Sequence, residues 1–559
     1  MSPKILAVTH GTSGLLLAYL LVFVPMLLAL IRSRAPISKF VSSPLLALPM
    51  ALIAALVVVV SSPLLQSLGV DSHGSFQLLF GAAVCAVLGY AGGRALASGR
   101  PADSSYRRGA VVADAAAFLE RAGRSVGTRQ NVSDCNCPIR LAGIPIAAED
   151  ETKHFKFVGT TGTGKSTAIR EILSAALARG DRVVVADPDG GYLKHFYEAD
   201  RGDVILNPFE PDSMKWDLLS EVANVYDVDQ LARSLIPDGD GSDRSWNDYA
   251  RTFFIAVVQE AMANGVKDDS EIYRLLTVAS VQELRLLLEN TAAGPFLAEG
   301  NDKMFGSVRS VTSSAVSTLK YITAQRATPF SVRQWVRHGA ARRNGGRGGV
   351  LFLPYKAGEI AALRSTISAW MRIAIFEAMD RPEGDQRLWF VIDELDALGA
   401  IDGLKDALAR LRKFGGRCIL GFQSISQVSG TYGKAAADTI VENCGNTVIL
   451  RCSASELGGT SQFASRLIGQ REVVHTARSH TRRPTDWLPA TTISEHRSIE
   501  FAVMASEIER LADLEGFLKL ASIADWMRIT LTYVNYPMAI RDRTPSPGAI
   551  IPGPAAANL

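Results

Sequence analysis

Apolar residues enter this chain first as long uncharged runs and only later as short ones. Residues 14–31, 42–68 and 75–93 carry no charge, and the first two are dominated by Leu, Val and Ala. A helix crossing a bilayer needs ~20 mostly apolar residues, so three membrane spans are expected within residues 1–100. The third run is weaker and richer in glycine, and its rival reading is a buried or re-entrant helix. From residue 101 onward the pattern changes. Short β-branched runs at 154–159, 182–187, 349–353, 388–393, 417–422 and 446–451 alternate with amphipathic stretches. Strands alternating with helices predict an α/β fold with a parallel sheet covered on both faces. After a short strand at 204–209 the pattern turns helical. Residues 212–328 are therefore expected to form an all-α domain inserted between the two parts of an α/β domain, 101–211 and 329–543. The Pro-, Gly- and Ala-rich tail, 544–559, is expected to be disordered.

Charge changes this picture in two ways. Residues 1–100 hold six Lys or Arg against Asp71 alone, or +5, so the +3 of the whole chain leaves −2 for the remainder. A binder of nucleic acid acting through bulk positive charge is excluded, and DNA contacts would be local. Arg32, Arg34 and Lys39 in the first loop, against Asp71 and His73 in the second, put the first loop and all that follows residue 93 in the cytoplasm. With three spans the N-terminus lies outside. A cleaved signal peptide is disfavoured, because Lys4 stands alone before the first run and Arg32-Ser33-Arg34 follows it. Cys135 and Cys137 are the only close pair of the six cysteines. Without a second pair they read as reduced thiols rather than zinc ligands.

Three segments carry chemistry. Gly159-Thr160-Thr161-Gly162-Thr163-Gly164-Lys165-Ser166-Thr167 follows a strand and opens a helix, as a phosphate-binding loop must. Its backbone N–H groups would cradle phosphates, Lys165 would reach the β/γ oxygens of ATP, and Ser166 would give its hydroxyl to Mg²⁺. Leu388-Trp-Phe-Val-Ile-Asp393-Glu394 is an apolar strand ending in an acid pair. Asp393 is placed to hold Mg²⁺ through water, and Glu394 to orient and deprotonate an attacking water. The downstream Asp396 reads as a helix N-cap. Gln423, at the tip of the next strand, is a candidate sensor of the γ-phosphate; the rival is a Gln that closes a loop. Arg337, Arg342, Arg343 and Arg347 lie in a glycine-rich basic loop that reads first as solvated surface.

In this order the three segments resemble RecA-like motor ATPases. With VVVADPDGG, VILNPF and EIERLADLEGFL they resemble more closely the coupling proteins of conjugative type IV secretion, of the TrwB/TraD kind. The resemblance runs from Phe155 to Tyr533. It implies a hexameric, multi-pass ATPase of the bacterial inner membrane with a cytoplasmic motor domain. Such a protein couples a relaxase–DNA complex, or relaxosome, to the subunits of a secretion channel and powers or gates the passage of single- or double-stranded DNA. It also implies an arginine supplied by the neighbouring subunit. Arg412 is the candidate, over Arg410 and Arg417, with ordinary helix end-capping as the rival. Two departures stand out: three apolar runs where such proteins usually have two, and no long acidic tail. Alternatives are a membrane-anchored DNA translocase of the FtsK/HerA kind and a nucleotide-gated scaffold recruiting protein substrates. An ABC transporter is disfavoured, since no LSGGQ-like signature precedes the acid pair.

Overall fold

A computed structural model describes residues 3–33, 37–67, 75–98, 104–115, 138–238, 243–338, 348–384, 387–455, 459–481 and 490–539. Cys135, Cys137, Arg342, Arg343, Arg347 and the tail 544–559 lie outside the described residues. The chain divides into two compact units, Met1–Arg107 with Glu472–Ser498, and Arg108–Arg471 with Ile499–Leu559.

The first unit is built on three helices, Pro3–Arg32, Ile37–Ser67 and Ser75–Ser98. Small residues let them approach closely. A Cβ on Gly89 would lie 2.1 Å from the Val22 carbonyl oxygen, and one on Gly93 would lie 2.6 Å from that of Met26. Backbone-to-backbone contact of this kind replaces large side chains at helix crossings in lipid. Most of the buried positions are small or flexible, Met26, Ala47, Ala51 and Ala54 among them, with Val22 and Leu30 beside them, while Leu16, Leu20, Leu28, Leu45, Leu52 and Leu56 face outward. A bundle with so many leucines outside is inside-out for water and suited to hydrocarbon. Among the described residues, Lys39–Val57 and Leu79–Leu96 are long and apolar enough to cross a membrane, and Leu16–Arg32 is a shorter apolar stretch. The strands Ser104–Gly109, Gln470–Thr481 and Ala490–Phe501 form a separate three-stranded sheet.

The second unit centres on a ten-stranded sheet. Its order is Val112–Asp114, Trp526–Thr530, Glu515–Lys519, Asn446–Ile449, Phe155–Val158, Gly416–Phe422, Leu388–Ile392, Arg182–Pro188, Val350–Tyr355 and Val204–Ile205. Strand residues alternate between two cores. Leu388, Phe390 and Ile392 join one hydrophobic cluster, Trp389 and Val391 the other. Helix Lys165–Arg179 covers the second face through Ala168, Ile169, Ile172 and Ala176. Helix Ile360–Met379 covers the first through Ile367, Trp370, Met371 and Ala374.

The sheet is mixed, not purely parallel. Glu515–Lys519 runs antiparallel to both Asn446–Ile449 and Trp526–Thr530. These late strands are missing from the sequence reading because Glu515-Gly-Phe-Leu-Lys is short and interrupted by glycine, a residue that weakens a strand signal. The strand expected at 204–209 stops at Ile205. Asn207 turns the chain there: its side-chain oxygen accepts the Phe209 N–H at 2.8 Å, and Pro208 has no N–H to offer a ladder.

Between these strands lie helices Val225–Leu235, Asp243–Ala263, Asp269–Thr277, Val281–Leu288, Asp302–Ala315 and Leu319–Thr323. Lys215–Trp216 pairs in parallel with Pro329–Phe330 at the base of this helical region. The Glu221 carboxylate sits behind that pair. It accepts the Trp216 indole N–H at 2.9 Å and the backbone N–H groups of Val332 at 2.7 Å and Arg333 at 2.9 Å. The helical region shares its hydrophobic core with one face of the sheet, with Trp216 edge-on to Trp370 at 5.8 Å.

Candidate functional site

The site is assembled at the carboxyl edge of the sheet. Strand Phe155–Val158 is buried on both faces and leads into Gly159. The loop that follows is tied down at several points. The Thr160 N–H donates to the Arg451 carbonyl at 2.9 Å, the Thr163 hydroxyl to the Thr160 carbonyl at 2.7 Å, and the Leu514 N–H to the Thr163 carbonyl at 3.0 Å. Gly162 and Gly164 have φ of 78° and 114°, left-handed values that bar most side chains. Helix Lys165–Arg179 starts directly afterwards and ends at Gly180, whose φ is 89°. The loop therefore presents the positive end of a helix together with free backbone N–H groups.

Lys165 is 7% exposed. Its ammonium donates to the carbonyls of Gly159 at 2.6 Å and Thr160 at 3.1 Å. Burial lowers its pKa, while Asp393 and Glu394 oppose that shift. The Ser166 hydroxyl donates to Asp393 Oδ2 at 2.6 Å. Asp393 is 4% exposed, and its second oxygen, Oδ1, is buried without a hydrogen-bond partner. A hydroxyl and a carboxylate this close, with one carboxylate oxygen unpaired, are the donor set of a hard, oxygen-seeking cation, so the residues fit Mg²⁺. Burial first, and then the charge of Asp393, raises the pKa of Glu394. That moves it toward the range of a working base.

Strand order brings Gln423 here. Gly416–Phe422 lies between the strand feeding the phosphate loop and the strand ending in the acid pair. The next residue, Gln423, donates from Nε2 to Glu394 Oε1 and accepts from the Thr161 hydroxyl at 3.0 Å. Gly421 makes the close approach possible, since a Cβ there would sit 2.0 Å from the Asp393 carbonyl oxygen.

Lys165, Ser166, Asp393, Glu394 and Gln423 are thus brought together, with Gly159 to Thr167 around them. Arg412 is not. It lies exposed in the turn Arg412–Phe414 that precedes strand Gly416–Phe422. Seven strand residues at ~3.3 Å each separate it from its own chain's Gln423. Arg417 is 1% exposed and committed elsewhere. It donates to Glu151 at 2.8 Å and to the Gly415 carbonyl at 2.6 Å, and lies 5.7 Å from the Trp389 ring. Arg337 donates to Glu377 at 2.7 Å. Asp396 is no N-cap: it is the first residue of a single turn, Asp396–Leu398, with Leu395 at the N-cap position and no side-chain cap.

Sequence reasoning missed two contributors. The Tyr192 hydroxyl donates to Asp393 Oδ2 at 2.8 Å, and Tyr355 ends its strand near enough to feel the charges of Glu394 and Asp393. The Asp187-Pro-Asp-Gly-Gly-Tyr192 turn was visible only as a block of family likeness. Nothing in its spacing says that Tyr192 turns toward Asp393.

The strand order and the phosphate loop define a RecA-like nucleotide-binding fold. Residues 138–532 match the family described as the type IV secretion-system coupling protein DNA-binding domain, and the chain belongs to that family. Among relatives, coupling protein TraD of Escherichia coli (strain K12) is 29% identical over 402 residues, covering 71% of this chain and 55% of TraD. The type IV secretion system-coupling protein VirD4 of Bartonella henselae is 25% identical over 345 residues, covering 57% of this chain and 50% of VirD4. The chain thus spans about half the length of these curated relatives. Among solved structures, the bacterial conjugative coupling protein TrwBdeltaN70 superposes with a TM-score of 0.68 at 29% identity, covering 79% of this chain and 97% of that one. Plasmid coupling protein TrwB in complex with ADP and Mg²⁺ gives 0.66 at 29%, covering 79% and 98%. TrwB with a non-hydrolysable ATP analogue gives 0.66 at 28%, with the same coverage.

Proposed function

We propose that this chain is a membrane-anchored ATPase that couples a relaxase–DNA complex to a type IV secretion channel and powers or gates DNA transfer in conjugation. The observation that carries the reading is the convergence of Lys165, Ser166, Asp393, Glu394 and Gln423 on one sheet edge. Family membership and the nucleotide complexes of TrwB support it.

In this reading ATP is the substrate. The loop N–H groups and Lys165 hold the β- and γ-phosphates, and Ser166 and Asp393 hold Mg²⁺, which neutralises phosphate charge when bound. Glu394, oriented by Gln423, takes the proton of the attacking water as the bond from the γ-phosphorus to its bridging oxygen breaks. ADP and phosphate leave. Lys165 releases the carbonyls of Gly159 and Thr160 to reach the nucleotide.

The remaining assignments belong to the same proposal. The three N-terminal helices cross the bacterial inner membrane with the N-terminus outside and the motor unit in the cytoplasm. Residues 212–328 act as a helical insertion. Subunits form a homohexamer, and Arg412 serves the site of a neighbour. Partners are single- or double-stranded DNA, the relaxase, and channel subunits.

ATP turnover by the purified chain, with and without DNA, tests the reading. Lys165→Ala should abolish turnover, and Glu394→Gln should bind ATP without hydrolysing it. Normal turnover in Glu394→Gln would remove Glu394 as the base, and an inert wild-type chain that binds no nucleotide would end the reading.

A further inference from the structure

Tyr192 lies outside every segment that the sequence singles out for chemistry, yet its side chain ends on the acid pair. It is 1% exposed. Its hydroxyl donates to Asp393 Oδ2 at 2.8 Å, the same oxygen that accepts from Ser166 at 2.6 Å. Asp393 Oδ1 is left buried and unpaired.

The segment carrying Tyr192 is built to hold it there. Strand Arg182–Pro188 delivers Asp187, whose carboxylate accepts the backbone N–H groups of Tyr192 at 2.9 Å and Leu193 at 2.7 Å. Asp189 and Gly190 take left-handed φ of 55° and 64° to turn the chain back. Arg170, from the helix that follows the phosphate loop, donates to the Gly191 carbonyl at 3.2 Å and stands 5.7 Å from the Tyr192 ring centre. A phenol needing only some acceptor would not require this much scaffolding.

The Ser166 hydroxyl has one proton and one freely rotating bond. It can donate that proton to Asp393 and still offer a lone pair to another partner, but a bond that rotates freely holds the carboxylate only loosely. The Tyr192 phenol is fixed by its buried ring and brings a second donor to the same oxygen. We infer that Tyr192 is a positioning residue: its hydroxyl fixes one oxygen of Asp393, so that the carboxylate keeps one orientation with its unpaired Oδ1 available to a divalent cation or its water. The inference rests on the nucleotide-hydrolysing reading of the site. Outer partners of this kind typically change metal affinity or activity by roughly 10–100-fold when removed.

The test measures binding of a non-hydrolysable ATP analogue to the full chain in detergent, in Mg²⁺ and in EDTA. Tyr192→Phe keeps the ring and removes the hydroxyl. The gain in affinity that Mg²⁺ confers should fall about tenfold or more, while affinity in EDTA stays at the wild-type value. Equal losses in Mg²⁺ and EDTA, or no loss in either, would overturn the inference. If Tyr192→Phe does not fold, Tyr192→Met decides. It also removes the hydroxyl and changes no charge near Asp393, and should reduce the Mg²⁺-dependent gain in the same direction; an unchanged gain overturns the inference. A wild-type chain that shows no Mg²⁺-dependent gain would overturn the nucleotide reading and this inference together. A normal wild type with an unshifted Tyr192→Phe would overturn this inference alone.

Discussion

Gln423 ties the phosphate loop to the acid pair: its Nε2 donates to Glu394 Oε1, and its Oε1 accepts from the Thr161 hydroxyl at 3.0 Å. The bond to Glu394 lowers a pKa that burial and Asp393 both raise. Gln423→Ala should therefore leave ATP binding intact and lower turnover by ~10², the scale on which a misplaced reacting group slows an enzyme. It should also move the acid limb of the pH–rate profile to higher pH, because Glu394 loses a partner that favours its charged form. An unmoved acid limb would reduce Gln423 to a loop-closing residue.

Gly421 tests the close packing behind this arrangement. A Cβ there would meet the Asp393 carbonyl oxygen at 2.0 Å, and the Leu395 N–H donates to the Gly421 carbonyl at 3.1 Å. Gly421→Ala should lower stability by about 1–3 kcal/mol and disturb Mg²⁺-dependent nucleotide binding. Gly430, in helix Ile425–Tyr432, has nothing within 4 Å of a built Cβ. Gly430→Ala should be neutral or stabilising by up to ~1 kcal/mol. Thermal denaturation of the two variants side by side checks the contrast.

Arg412 and Arg417 are separated by five positions and assigned opposite roles. Arg417→Ala removes one of two arginines that hold the buried Glu151 carboxylate, the other being Arg179 at 2.7 Å. A strong destabilisation is expected, near 3–5 kcal/mol for a broken buried pair, tempered by Arg179. Arg412→Ala should keep the wild-type melting temperature and lower turnover by ~10³ or more. Mixed with Lys165→Ala subunits it should recover activity, because an intact arginine of one subunit then serves an intact phosphate loop of another. Failure of complementation between two well-folded inactive variants would count against the assignment in trans.

Glu221 gives a pH signature at the base of the helical region. Burial pushes its pKa from 4.5 up to about 7, against the donors that hold it. A carboxyl raised on folding stabilises fully below its unfolded pKa, and that contribution is lost as pH rises through the folded value. The stability of wild type relative to Glu221→Gln should therefore be greatest below pH ~4.5 and decline up to pH ~7. Melting temperatures of both proteins across that window check the sign. A difference that is flat, or grows with pH, would show that the carboxyl stays ionised.

The parts of this protein that one stretch of chain can build by itself were legible in its sequence. The phosphate loop needs glycines where φ is positive, at Gly162 and Gly164, and a helix start at Lys165. An apolar strand needs only its own run to end in Asp393 and Glu394. Helix Lys165–Arg179 and its stop at Gly180 follow from local propensity. What one stretch cannot specify is which strand lies beside which. The placement of Gly416–Phe422 between the phosphate-loop strand and the acid-pair strand brings Gln423 to Glu394, and it rests on pairing with Phe155–Val158, more than two hundred residues earlier in the chain, as well as with Leu388–Ile392. The same holds for Tyr192 on Asp393, for Leu514 against Thr163, and for the late antiparallel strands. Arg412 and Arg417 share a residue type and a neighbourhood in sequence. Only burial against Glu151 and Trp389 makes one of them structural and leaves the other free in solvent, because a charge taken out of water must be paired where it lies.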